Sequence, residues 1–160
     1  MRLNNCAAFG WNPIPMLSKD FKEFVALLNA HAVEYLIVGG YAMALHGRPR
    51  NTGDLDVWVN SSSGNGVRLM HALEDFGFGG MGLSAEDFSK PDHVVQLGYP
   101  PFRIDLLTGI DGVDFAAAWP DRQTVLHDGL ELRFIGLEAL KTNKRASGRP
   151  RDLDDLENLP

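Results

Sequence analysis

Gly39 and Gly40 close a short apolar run, and Asp54-Leu55-Asp56 follows after thirteen intervening residues. This spacing can set a phosphate-binding turn beside a pair of metal-binding carboxylates. Glycines that open a helix leave unpaired amides at the positive end of its dipole and let a phosphate approach the backbone closely. In a strand, residues i and i+2 share a face, so Asp54 and Asp56 project side by side while Leu55, Val57 and Val59 face the other way. Two like charges about 7 Å apart along one face are costly unless a cation lies between them. Oxygen-only ligands of this kind suit Mg²⁺ or Mn²⁺, which in turn bind substrate phosphates. The plainer alternatives are glycines kept for packing and two solvated aspartates at a frayed strand end.

The segment between glycines and aspartates is basic and punctuated: Arg48-Pro49-Arg50-Asn51-Thr52-Gly53. Pro49 disfavours helical geometry at Arg48. If the stretch runs extended, period-two alternation puts Arg48, Arg50, Thr52, Asp54 and Asp56 on one side. Cations and a hydroxyl would then line the approach to the carboxylates, as a triphosphate requires. The competing reading is an ion pair between either arginine and an aspartate.

Residues 36–57, with the glycine pair and the Asp-Leu-Asp in this order and spacing, resemble the core motif of the polymerase-β-like nucleotidyltransferase superfamily. They are especially similar to small bacterial members of the toxin and abortive-infection type. The resemblance implies transfer of NMP from an NTP to an acceptor hydroxyl. It also implies that the glycines contact nucleotide phosphates, that Asp54 and Asp56 bind divalent metal, and that a third carboxylate stands on a neighbouring strand. Phe102, Ile104 and Leu106 alternate with Arg103 and Asp105, which puts Asp105 on the polar face of a half-buried strand. The resemblance makes Asp105 that third carboxylate, helping to orient or deprotonate the attacking hydroxyl. Its alternative is a structural ion pair with Arg103.

A second resemblance lies near the C-terminus. Leu137, Leu140, Lys141 and Lys144 fall at i, i+3, i+4 and i+7, so the lysines extend the inward stripe of a helix. A lysine there needs an acidic partner or a phosphate. Toxin-like members have a similar helix with a lysine, then an arginine, then an aspartate opening the last helix, and their lysine lies near the nucleotide phosphates. Lys144 is the better match and Lys141 the reserve; pairing of Lys144 with Asp152 across the turn is the alternative. Gly148 and Pro150 stop this helix, and Asp152 can cap the next.

These residues need a scaffold, and the remaining sequence supplies one. The spacing predicts a helix over 18–31 with Phe21, Phe24, Val25 and Leu28 inward and Ser18 as N-cap. A flexible loop over 60–66 leads into a helix with Val67, Met70, Leu73 and Phe76 inward, and that loop could admit an acceptor. A short helix over 84–88, a strand over 94–97, a turn over 98–101 and a hairpin over 124–135 around Asp128-Gly129 complete the chain. The order implies one α/β or α+β domain with a mixed sheet flanked by helices. Its expected bounds are an N-terminal arm over 1–17 and a nucleotidyltransferase domain over 18–160, with C-terminal helices from about 136. Met16 is a candidate natural start. Little chain is left for a separate acceptor-binding domain.

The chain has 160 residues, a net charge of −6 and one cysteine, Cys6. That charge opposes broad nonspecific nucleic-acid binding. Yet Lys141, Lys144, Arg145, Arg149 and Arg151 crowd one stretch and, with Arg48 and Arg50, can surround a triphosphate or an RNA end. One cysteine forms no internal disulfide, no segment has the length and apolarity of a membrane span, and the first fifteen residues make a poor signal peptide. Cytoplasm is the expected setting. His31 and His46 have no second histidine at ligand spacing. The expected partners are an NTP, an acceptor RNA, protein or small molecule, and an antitoxin protein. An aminoglycoside-type adenylyltransferase and a non-catalytic binding module are the competing classes.

Overall fold

The computed structural model describes residues 14–49 and 52–160; Arg50 and the first thirteen residues of the expected arm lie outside the described residues. Six strands form one mixed sheet: β1 (Tyr35–Val38), β2 (Leu55–Val59), β3 (Val94–Leu97), β4 (Ile104–Leu107), β5 (Gln123–His127) and β6 (Leu130–Phe134), in the spatial order β3-β4-β2-β1-β6-β5. β1 runs antiparallel to β2 and parallel to β6, and β2 runs parallel to β4. β3 and β5 pair antiparallel with their neighbours and form the two edges. The chain is thus a small α+β domain whose central strands, β1 and β2, carry the glycines and aspartates.

Among the described residues six α-helices accompany the strands: α1 (Lys19–Ala30), α2 (Gly39–Leu45), α3 (Ser63–Phe76), α4 (Phe115–Ala118), α5 (Leu137–Ser147) and α6 (Pro150–Glu157). The Ser18 hydroxyl caps α1 by accepting from the Phe21 amide at 3.1 Å, and Phe21, Phe24, Val25 and Leu28 are all fully buried. Ile14 and Leu17, which precede α1, are buried too, so the chain enters the core before this helix begins. Asp128 and Gly129 have φ of 52° and 78°, the paired positive values that a tight hairpin between β5 and β6 requires.

Two expectations about the middle of the chain need correcting. The segment over 60–66 is not a free loop: α3 starts at Ser63, capped by the Ser62 hydroxyl. Asn65 is completely buried, accepting from the Glu34 amide at 2.7 Å and donating to the carbonyls of Glu34 and Asn60. This cap also sits past the C-terminal end of β2, whereas Asp54 and Asp56 stand at its beginning, roughly 13 Å away along the strand. It cannot serve an acceptor there. The fully buried stripe of α3 is Leu69, Ala72 and Leu73, with Met70 and Phe76 packed partly buried against the core, whereas Val67 lies at the surface with 47% exposure. Asn, Gly and Ser propensities suggested a loop, and tertiary hydrogen bonds to the β1 entry overrode them.

Candidate active site

The site forms where β1, β2 and β4 begin or end side by side. The register pairs Val38 with Asp56 and Asp56 with Asp105, so these positions lie in one row across three strands. Directly opposed residues share a sheet face, which brings Asp105, distant in sequence, beside Asp56. Gly39 follows Val38 and opens α2 with φ +69°, a conformation that side chains resist. A Cβ on Gly39 would collide with the Asp56 carboxylate, and one on Gly40 would lie 2.7 Å from the Thr52 side chain. Glycine is required at both positions because these two side chains fold over the start of the helix. The Thr52 hydroxyl donates to the Asp54 carbonyl at 3.1 Å and fixes the approach to the first aspartate.

A polar cavity of about 320 Å³ opens over this point. Gly39, Gly40, Thr52, Asp54 and Asp56 form one wall, and Lys144, Arg149, Arg151 and Asp152 form the other. Acid and base therefore face each other across it. Burial pushes the Asp56 carboxyl up to about 7, helped by the negative charges of Asp105 and Asp54 and by a hydrogen bond with Asp105. Arg103 is the local counterweight. Its guanidinium donates to Asp105 at 2.8 and 3.1 Å and to Asp54 at 3.1 Å, bridging two of the three carboxylates.

The donor set fits a divalent cation by chemistry: three carboxylates at the ends of adjacent strands, one of them held partly protonated by its burial and by its two acidic neighbours. Among the described residues no group of three His, Cys, Asp or Glu side chains already surrounds a common metal position. Arg103 takes up oxygens of Asp54 and Asp105 that a metal would use. Arg103→Gln is expected to lower the unfolding midpoint of the metal-free protein at pH 8 by several degrees, by leaving the carboxylates mutually repelling. Added Mg²⁺ should then raise that midpoint more than in the unaltered protein; equal midpoints throughout would show the arginine to be a bystander.

The remaining expected residues have distinct placements. Lys144 is buried on the cavity wall and donates to Asp152 at 3.2 Å and Asp155 at 3.0 Å, so the pairing across the turn is present and extends to a second aspartate. Asp152 also accepts from the Ser147 hydroxyl at 2.6 Å and Arg149 at 2.7 Å; burial would raise its carboxyl, but these bonds and Lys144 hold it at about 2. Its place is inside the first turn of α6, with Arg149 in the capping position. Lys141 lies 3.8 Å from Glu138 and away from the cavity wall. Arg48 turns toward α6, donating to Asp154 at 2.7 Å and lying 3.5 Å from Asp155. It ties the segment after α2 to the last helix. His46 Nε2 lies 2.8 Å from the Ile135 carbonyl, and His31 Nε2 2.6 Å from Asp75.

Sequence reasoning treated Arg103 only as a structural partner of Asp105 and missed Asp155 altogether. The Arg103-x-Asp105 alternation carries the signal for the first, because residues i and i+2 on one face can pair directly. No local pattern marks Asp155 as buried. A family profile described as a nucleotidyltransferase of unknown function (DUF6036) matches residues 16–159. The chain belongs to this nucleotidyltransferase family. Two solved structures share the fold of this family member at 14% identity. One, from Thermotoga maritima and assigned as a nucleotidyltransferase, has a TM-score of 0.54 with 86% of each chain covered. The other is ANT(2″)-Ia in complex with adenylyl-2″-tobramycin, with a TM-score of 0.52, covering 86% of this chain and 83% of that one. No curated protein matches. Among the described residues no helix is long and apolar enough to cross a membrane.

Proposed function

We propose that the protein is a metal-dependent nucleotidyltransferase that moves NMP from an NTP to an acceptor hydroxyl, as a toxin-type enzyme acting in the cytoplasm. The observation that carries this reading is the row of Asp56 and Asp105 on paired strands, with Asp54 beside it, Gly39 packed against the Asp56 carboxylate and Gly40 against Thr52. Asp54, Asp56 and Asp105 would hold Mg²⁺ or Mn²⁺, which would bind triphosphate oxygens and offset the charge that develops as pyrophosphate leaves. The amides that open α2 at Gly39 and Gly40 donate to phosphate oxygens. Lys144, Arg149 and Arg151 supply positive charge on the opposite wall. Asp105, at the outer end of the carboxylate row, takes the proton of the attacking hydroxyl.

Incubating the protein and Mg²⁺ with each α-labelled NTP and cellular RNA, protein or metabolite fractions tests the reading. Label transferred to one fraction names the acceptor class, and no transfer with any NTP rejects the activity. An antitoxin partner would suppress that transfer when added.

Proton linkage gives a second handle. The Asp56 carboxyl sits at about 7 without metal and must be ionised to bind one. Apparent Mn²⁺ affinity, titrated by calorimetry, should therefore rise about tenfold per pH unit below 7 and level off above it. A flat profile between pH 5.5 and 8 would exclude Asp56 as a ligand.

A further inference from the structure

The sheet continues outward from the carboxylates. Gln96 on the edge strand β3 is paired directly with Asp105, so Gln96, Asp105 and Asp56 form one row on one face. Gln96 therefore stands one strand spacing, about 4.8 Å, beyond Asp105 on the side away from the NTP cavity. A second cavity of about 580 Å³ lies there, lined by Phe78, Met81, Gln96, Tyr99, Pro100 and Arg103. Arg103 joins it to the carboxylates through its bonds to Asp54 and Asp105. Among the described residues that line this wall there is no carboxylate, and the charged side chain is that of Arg103. Tyr99 is 87% exposed and Met81 54%, a clustering of large apolar side chains that marks a binding surface rather than ordinary scatter.

We infer that this wall is the acceptor subsite and that it takes the terminal nucleoside of an oligoribonucleotide. The inference rests on the proposed nucleotidyl transfer and deepens it by naming the acceptor. A base stands about one strand spacing from the hydroxyls of its own ribose. With a ribose hydroxyl at Asp105, the base lies over Gln96. The Gln96 amide offers both a donor and an acceptor to a base edge, and Tyr99 and Met81 offer apolar faces for stacking. The hydroxyl oxygen bonds to the α-phosphorus, the bond from that phosphorus to the α,β-bridging oxygen breaks, pyrophosphate leaves with the electron pair, and the proton passes to Asp105. A polycationic acceptor such as an aminoglycoside finds no carboxylate among the residues lining this wall and meets the Arg103 charge instead.

The test uses the full chain, with a ribonucleotide trimer bearing a free 3′ hydroxyl and with tobramycin as probes. Each is titrated by calorimetry with and without Mg²⁺ and a non-hydrolysable NTP analogue. Trimer affinity is expected to fall about tenfold in Tyr99→Ala and to be kept in Tyr99→Phe, as stacking requires. Gln96→Ala should weaken the trimer less and alter base preference, and neither change should alter affinity for the NTP analogue. Equal trimer affinity in the unaltered protein and Tyr99→Ala overturns the assignment, as does tobramycin binding that depends on Tyr99. Failure of the NTP analogue to bind would overturn the donor reading alone, because the Tyr99 dependence of the trimer is read separately without it.

Discussion

Replacing Asp54 and Asp56 together with asparagine is expected to cut NMP transfer by at least about a thousandfold, the scale of losing the charge that stabilises a phosphoryl transition state. The same variant should be more stable than the unaltered protein in the absence of metal. The Asp56 carboxyl is held near 7, well above its ordinary value, by burial and by Asp105 and Asp54. A folded state with a raised carboxyl binds more protons than the unfolded chain between about pH 4 and 7, so its stability falls as pH rises through that window. Asparagine removes the penalty. At pH 8 without metal the double variant should melt higher by a few degrees, consistent with about 1–2 kcal/mol, and at pH 4 the two proteins should melt alike. Scanning fluorimetry across pH reads the stability, and labelled-NTP transfer reads the chemistry. Undiminished transfer would remove both aspartates from the mechanism.

The second large effect is on the basic wall. Lys144→Ala is expected to destabilise the protein by about 3 kcal/mol, because it removes the cation shared by two buried carboxylates. Asp155 is 1% exposed and Asp152 3%, and Lys144 donates to both. Arg149 still reaches Asp152 and Arg48 lies 3.5 Å from Asp155, which keeps the cost at the lower end of its range. The unfolding midpoint should fall by roughly 10 °C. Lys144→Ala combined with Asp155→Leu should recover much of that loss, since a buried ion pair replaced by apolar groups is often neutral. If NTP affinity recovers as well, Lys144 is only a strut for α6. If stability returns and NTP affinity does not, the lysine serves the triphosphate.

Much of this site could be read along the chain because its parts are local. The glycines that end β1, the i and i+2 aspartates that start β2, and the alternation around Asp105 each express a backbone period within a few residues. Lys144 on the inner stripe of α5 was readable for the same reason. The segment over 60–66 was not, since its Ser, Gly and Asn residues have loop propensities and become helical only through contacts that Asn65 makes with Glu34 and Asn60. Which aspartates Arg48 meets was not legible either, because its partners, Asp154 and Asp155, are about a hundred residues away.

Sequence alone determined most of the element types, the glycine and aspartate motif, and with them the family. Tertiary structure decided which groups meet. Register across β2, β4 and β3 set Asp56, Asp105 and Gln96 in one row, and the packing of α6 against α5 turned Lys144 into a buried triad with Asp152 and Asp155. The physical reason is range. Backbone periodicity acts over two to four residues and is written in every window, whereas strand register and ion pairing are selected by the energy of the whole folded chain.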